Sequence, residues 1–138
     1  MEAFKGDAPR TPVNRADYHP PAWLIDTAVI TLDLNPDTTC VSASLRVRRN
    51  PDADDPDSAL ELFGDDLHTE CVAIDGRELA SDAYRINNGR LIINGLDESA
   101  IVTTRVLIHP AKNTALEGLY QSGSSLLTQC EAEGFRKI

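Results

Sequence analysis

Gln129, Cys130, Glu131 and Glu133 put an amide, a thiol and two carboxylates into one short stretch near the C-terminal end of the sequence. In an extended backbone Glu131 and Glu133 share a face. Two neighbouring carboxylates can do acid–base work of the glycosidase kind, but no carbohydrate-stacking aromatics stand beside them. Glu133 reads instead as structural, paired with Arg136. Cys130 as a nucleophile would need a nearby base, and no histidine is close in sequence. It reads as a small, inert, part-buried side chain.

The other reactive types give less. The three histidines are His19, His68 and His109, and no two have the i, i+4 spacing that puts metal ligands on one helix face, so no metal site can be drawn from them. Asp52, Asp54, Asp55 and Asp57 are dense enough to suggest a calcium loop. They lack the ligand order, the glycine and the closing glutamate of an EF-hand, and read as a solvated loop. Ser122-Gly123-Ser124-Ser125 is not followed by Gly-Lys-Ser/Thr, so it reads as a flexible turn before a Leu126-Leu127 strand rather than a phosphate loop. Arg46, Arg48 and Arg49 read as a small basic stripe on an exposed strand face.

Composition bounds what these residues can serve. The sequence has 138 residues and a formal net charge of −9, from 13 basic and 22 acidic side chains. Phosphate backbones and anionic membrane surfaces are repelled by that charge. Aromatics are 5% of the chain, too few for a base-stacking platform. The cysteines Cys40, Cys71 and Cys130 are odd in number and widely spaced, without a Cys-x-x-Cys pair, so free thiols in a reducing compartment are expected. Neither a signal-peptide core nor an apolar run of about 20 residues is present, and a cytoplasmic protein is expected.

The elements that must position these groups read as strands. Residues 1–17 form a flexible arm without periodicity, and 18–138 form the folded unit. His19-Pro20-Pro21 is a stiff, extended entry. Over Trp23–Leu34, the residues Leu24, Ala28, Ile30, Leu32 and Leu34 fall on one face. Over Val41–Arg48, Val41, Ala43, Leu45 and Val47 alternate with Ser42, Ser44, Arg46 and Arg48, the signature of a half-buried antiparallel strand. Shorter strands are expected at Ala59–Phe63, Leu67–Ile74, Ala83–Ile86, Arg90–Asn94 and Ile101–His109. Asp75-Gly76 and Asn88-Gly89 are hairpin-turn dipeptides. The pattern gives an all-β fold, an antiparallel sandwich or saddle-like stack of curved sheets. From Pro110 onward the alternation fades into a long irregular segment, a kind that in compact domains usually carries function.

That segment carries a resemblance. Asn113-Thr114-Ala115-Leu116-Glu117-Gly118-Leu119-Tyr120-Gln121-Ser122-Gly123, followed by Leu127-Thr128-Gln129-Cys130-Glu131-Ala132-Glu133-Gly134-Phe135-Arg136, resembles the N-terminal domain of the bacterial aminopeptidase N family of gluzincin zinc peptidases. Tyr18-His19-Pro20-Pro21 and the Leu32-Asp33-Leu34 strand are similar to the opening of that domain. The resemblance spans residues 16–138 and is strongest over the last 26 residues. It implies a saddle-like β domain packed against a zinc-bearing catalytic domain, with 113–138 as the substrate-contacting segment. It further implies that Glu131 binds the free α-amino group of a peptide and that Gln129 lines the pocket for the first side chain. A carboxylate suits the first role because its charge-assisted bonds to an ammonium are short and strong. An internal peptide bond would leave it unpaired at a cost.

The departures from the family matter equally. The His-Glu-x-x-His motif and the Gly-x-Met-Glu-Asn substrate loop are absent, and the only methionine is Met1. The chain stops at Ile138, before the resembled domain would be complete at its C-terminus. The resemblance therefore implies zinc in the full-length enzyme, none bound by this chain, no catalytic residue here, and no peptidase activity of the chain alone. A stand-alone β-sandwich module that binds proteins through its acidic loops and open strand edges is the alternative reading.

Overall fold

The computed structural model describes residues 14–55 and 57–129. Its frame is an antiparallel sheet of order β1-β2-β8-β4-β5, made of β1 (Trp23–Asp33), β2 (Thr39–Arg49), β4 (His68–Ile74), β5 (Arg77–Glu78) and β8 (Ser99–Ile108). A second sheet, of order β3-β7-β6, is made of β3 (Leu60–Phe63), β6 (Tyr84–Asn87) and β7 (Arg90–Ile93). The strands expected from alternation are all present, with ends moved by a residue or two, and every pairing is antiparallel. The fold is all-β.

The two sheets meet on a small core. Trp23, Val47, Val72, Ala100 and Val102 from the large sheet close on Leu60 and Ile93 from the small one. Val47 and Val102 are wholly buried. This core occupies only the end of the large sheet where β1 begins, β2 ends and β8 begins. Beyond it, Ile30 and Leu32 of β1 stay 54% and 43% exposed.

Two sequence readings are corrected here. A bulge between Ile25 and Thr27 shifts the β1–β2 register, so Leu24 pairs with Arg48 while Ala28 pairs with Leu45. Leu24 therefore lies on the opposite face from Ala28, Ile30 and Leu32. An extra residue in one strand reverses the parity of everything before it, and nothing in the alternation marks it. The basic stripe is also broken up. Arg46 and Arg48 do share an exposed face, but Arg49 pairs with Trp23 on the other one. The Arg49 guanidinium lies 4.5 Å over the Trp23 ring and donates to the carbonyls of Ser58 and Leu96. Arg49 thus closes the rim of the core.

Turn chemistry acts as expected. Asp75 and Gly76 have φ of 50° and 79°, and Asn88 and Gly89 have 49° and 70°, the doubly left-handed pattern of the favoured two-residue hairpin turn. At the other end of the large sheet, Thr39 is fully buried yet satisfied. Its hydroxyl donates to the Asn35 carbonyl at 2.8 Å and accepts from the Asn35 amide at 3.1 Å. Asn35 Oδ1 in turn accepts from the amides of Asp37 and Thr38. The Asn35–Thr39 turn is rigid as a result, which matters for what docks on it.

Val102→Ala is expected to lower stability by about 2–3 kcal/mol, from two lost methyl groups plus the cavity left behind. Ile86→Ala, at a side chain 56% exposed, should change it by about 0.5 kcal/mol or less; thermal melts of both variants check this. Gly76→Ala should cost about 1 kcal/mol from left-handed strain alone, since nothing lies near its missing Cβ. Gly89→Ala should cost more, because its Cβ would stand 2.9 Å from the Gly64 carbonyl oxygen; equal melts for the two would contradict the turn geometry.

Candidate functional site

The segment from Pro110 onward is not irregular as far as it is described. A single 3-10 turn, Pro110–Lys112, follows β8, and then β9 (Gly118–Ser122) and β10 (Ser125–Gln129) form a two-stranded ribbon. The strand expected at Leu126-Leu127 is β10, while β9 escapes periodicity: each strand has five residues, and glycine, serine and glutamine interrupt the apolar pattern. The recognisable signal was Ser122-Gly123, where Gly123 has φ of 59°.

The ribbon is held from its base. The Ala111 amide donates to the Pro36 carbonyl at 2.9 Å. His109 Nδ1 lies 2.7 Å from the Asp37 carbonyl, so that nitrogen carries the proton and donates. Both bonds fasten the end of β8 to the rigid Asn35–Thr39 turn. Asn113 then spans the loop before β9, where Nδ2 donates to the carbonyls of Glu117 at 2.7 Å and Leu119 at 2.9 Å. These bonds hold a stretch in which Leu116 and Gly118 both have positive φ, 58° and 69°.

Of the two residues singled out from the sequence, Gln129 is the last of β10, exposed and paired with Gly118. The pairing places it on the same face of the ribbon as Tyr120 and Leu127, which oppose each other two pairs further along. Leu127 is 45% exposed. The ribbon therefore presents an amide beside a phenol and an open aliphatic side chain, a surface able to receive a mixed polar and apolar group. Glu131 lies outside the described residues, as do Cys130, Glu133 and Arg136, and so does the arm up to residue 13.

The remaining reactive groups are dispersed. His19 Nδ1 sits 2.6 Å from Asp54 Oδ2, with both side chains largely exposed. Asp52 and Asp57 are engaged through their amides in turns of the acidic loop. Arg105 Nε points between Cys40 Sγ at 3.3 Å and Glu70 Oε2 at 3.2 Å, and these partners raise the guanidinium's pKa, the hydrogen bond to Cys40 most of all. Burial, followed by the charge of Glu78, pushes the Cys71 thiol up. Among the described residues no three His, Cys, Asp or Glu side chains come together as metal ligands, so they do not fit a zinc site. No helix among them is long and apolar enough to cross a membrane.

The comparisons with known proteins bear on the whole chain. An aminopeptidase N from Caulobacter vibrioides is 46% identical over 135 residues, covering 98% of this chain. That of Escherichia coli is 42% identical over 124 residues, covering 90%. The chain is homologous to the N-terminal region of aminopeptidase N. It spans only 15% and 14% of the length of these two proteins. No protein-family model matches it. Among solved structures, an aminopeptidase A from Legionella pneumophila in complex with aspartic acid superposes with a TM-score of 0.77 at 23% identity. It covers 88% of this chain and 14% of that one. A leukotriene A4 hydrolase from yeast follows with a TM-score of 0.57 at 16% identity, covering 92% of this chain and 22% of that one. These two establish the fold alone, while the aminopeptidase N relatives establish descent along the chain.

Asn113→Ala is expected to loosen the ribbon without touching the core. Two carbonyls lose their donor, worth about 1–2 kcal/mol of local opening. Hydrogen exchange should quicken at Tyr120 and Leu127 and stay unchanged at Val102. Equal quickening at all three would show that Asn113 supports the whole fold.

Proposed function

We propose that this chain is the substrate-contacting N-terminal domain of a zinc-dependent aminopeptidase, a hydrolase that removes N-terminal residues from peptides. The observation that carries the reading is the 46% identity to an aminopeptidase N, maintained over 98% of the chain. Gln129 lines the pocket for the first side chain of the peptide, and Glu131 binds its free α-amino group. The exposed position of Gln129 at the end of an anchored ribbon supports the first assignment. The second follows from chemistry: a carboxylate distinguishes a terminal ammonium from an internal amide, since only the ammonium gives it a charge-assisted partner.

Zinc and the general base of hydrolysis would belong to other residues of the enzyme, because the described residues do not fit a metal site. The partners are then a peptide N-terminus and a catalytic domain, and this chain alone hydrolyses no peptide. The net charge of −9 disfavours nucleic acid and anionic membranes. Cys40 and Cys71 are free thiols, which suits a reducing compartment and supports a cytoplasmic location.

The test is kinetic. The 138-residue chain supplied with zinc should release no p-nitroaniline from alanyl p-nitroanilide. In the polypeptide carrying the whole aminopeptidase, Glu131→Gln should lower kcat/KM by about 30- to 1,000-fold, as expected for losing about 2–4 kcal/mol of a desolvated charge pair. Gln129→Ala should mainly change the ranking of alanyl, leucyl and arginyl substrates. A Glu131→Gln enzyme with unaltered kcat/KM would remove the amine-binding role.

A further inference from the structure

Among the described residues, left-handed backbone falls on glycine, asparagine or aspartate at every position but one. Those residue types take positive φ at low cost. The exception is Leu116, with φ of 58°, where the leucine Cβ crowds the following carbonyl oxygen. Its side chain is also 53% exposed, so the described core does not offset the strain. A single exposed leucine is ordinary on a protein surface. An exposed leucine held permanently in left-handed backbone is not, because glycine or asparagine would take the same turn without strain.

Strain of this kind persists only where the surroundings fix it, and Asn113 fixes it here. The Asn113 side chain is half-buried. Its Nδ2 reaches across the loop to the Glu117 and Leu119 carbonyls, and its own amide donates to the Pro110 carbonyl at 3.2 Å. The residues between, Thr114 to Glu117, are all exposed. The loop is clamped from beneath and open above, with an aliphatic side chain at its strained point. It also stands at a particular place. Gly118 pairs with Gln129, so the chain enters the ribbon from this loop at the same end where Gln129 leaves it.

We propose that Leu116 is a docking knob, seated in an apolar recess of the catalytic domain of the same polypeptide, and that this contact fixes the Gln129 end of the ribbon against that domain. The inference rests on the function proposed above. The chain spans 15% of the length of its Caulobacter vibrioides relative, so most of such an enzyme lies outside it. Whatever meets Gln129 from outside comes to the end of the ribbon that carries Leu116. A substrate comes and goes with each turnover and cannot offset a permanent strain, whereas a fixed contact between domains can. Burial of the leucine in that contact supplies the apolar transfer that its own domain does not. Asn113 keeps the knob in the docked shape beforehand, so little ordering is left to be done when the domains meet. Leu116 is thus a positioning residue: it acts on the peptide only through where it holds Gln129 and the residues that follow.

The test uses the polypeptide carrying the whole aminopeptidase. Leu116→Asn keeps the left-handed turn and removes the aliphatic side chain. Hydrogen exchange at Leu119 to Gln121 should then quicken about tenfold, with Val102 unchanged, and Leu116→Met should restore it. Relief of strain alone would slow exchange or leave it as it was, so the direction of the change separates a lost contact from a relaxed turn. Turnover of alanyl p-nitroanilide by Leu116→Asn should fall about three- to tenfold in kcat/KM and recover in Leu116→Met. The occupant is read by placing the photo-crosslinker p-benzoylphenylalanine at position 116 and mapping the linked peptides, which should lie in the catalytic domain. Links confined to residues 1–138, links between two copies of the polypeptide, or no links to protein at all would overturn the proposal, as would exchange that slows or does not change in Leu116→Asn. The two readings fail separately: Glu131→Gln kinetics decide the amine-binding role, while the crosslink reports what covers Leu116 whatever the substrate.

Discussion

The antiparallel pairing of β2 with β8, unbroken over ten residue pairs from Thr39–Ile108 to Arg48–Ser99, is the constraint from which the rest of the chain hangs. At one end this pairing brings Val47 and Val102 into the core, where Trp23 and the small sheet close over them. At the other it sets the Asn35–Thr39 turn beside the end of β8, so that the Ala111 and His109 bonds form and the β9–β10 ribbon has a fixed origin. Gln129 therefore owes its position to a sheet whose hydrophobic core lies at the opposite end. The connection between them runs through backbone pairing, a buried and satisfied threonine, and one asparagine in the loop before β9.

Much of this was legible in the sequence because β2 alternates cleanly and because Asp75-Gly76 and Asn88-Gly89 are turn pairs with a single conformational reading. Three features were not. The bulge at Asp26 leaves no trace in composition, yet it sends Leu24 to the wrong face. Arg49 belongs by sequence to a run of arginines, but the strand parity turns it inward onto Trp23. Of the ribbon only the turn and the Leu126-Leu127 strand are legible, because five-residue strands broken by glycine and serine carry too little alternation for the rest. What alternation missed, the resemblance of residues 113–136 supplied at the level of family, and the similarity to aminopeptidase N covers nearly the whole chain.

The candidate site was legible only through that resemblance. A glutamine and a glutamate two residues apart have no signature of their own, and the described residues add one structural reason to take Gln129 seriously: it ends an anchored ribbon and shares a face with Tyr120 and Leu127. The open face of β1 has a different origin. The core is small because the small sheet has strands of only four residues, and the long strands of the large sheet extend past it. The same mismatch in strand length that leaves Ile30 and Leu32 uncovered gives the chain its one long unguarded edge among the described residues.

The central claim is that this domain reads the peptide's free amine through Glu131. The most direct measurement is a crystal structure of the polypeptide carrying the whole aminopeptidase, with a free amino acid or dipeptide bound. The account predicts the ligand's ammonium within about 2.7–3.2 Å of a Glu131 carboxylate oxygen, with Gln129 beside the first side chain. A ligand whose ammonium is held entirely by other residues, with Glu131 turned to solvent, would contradict it.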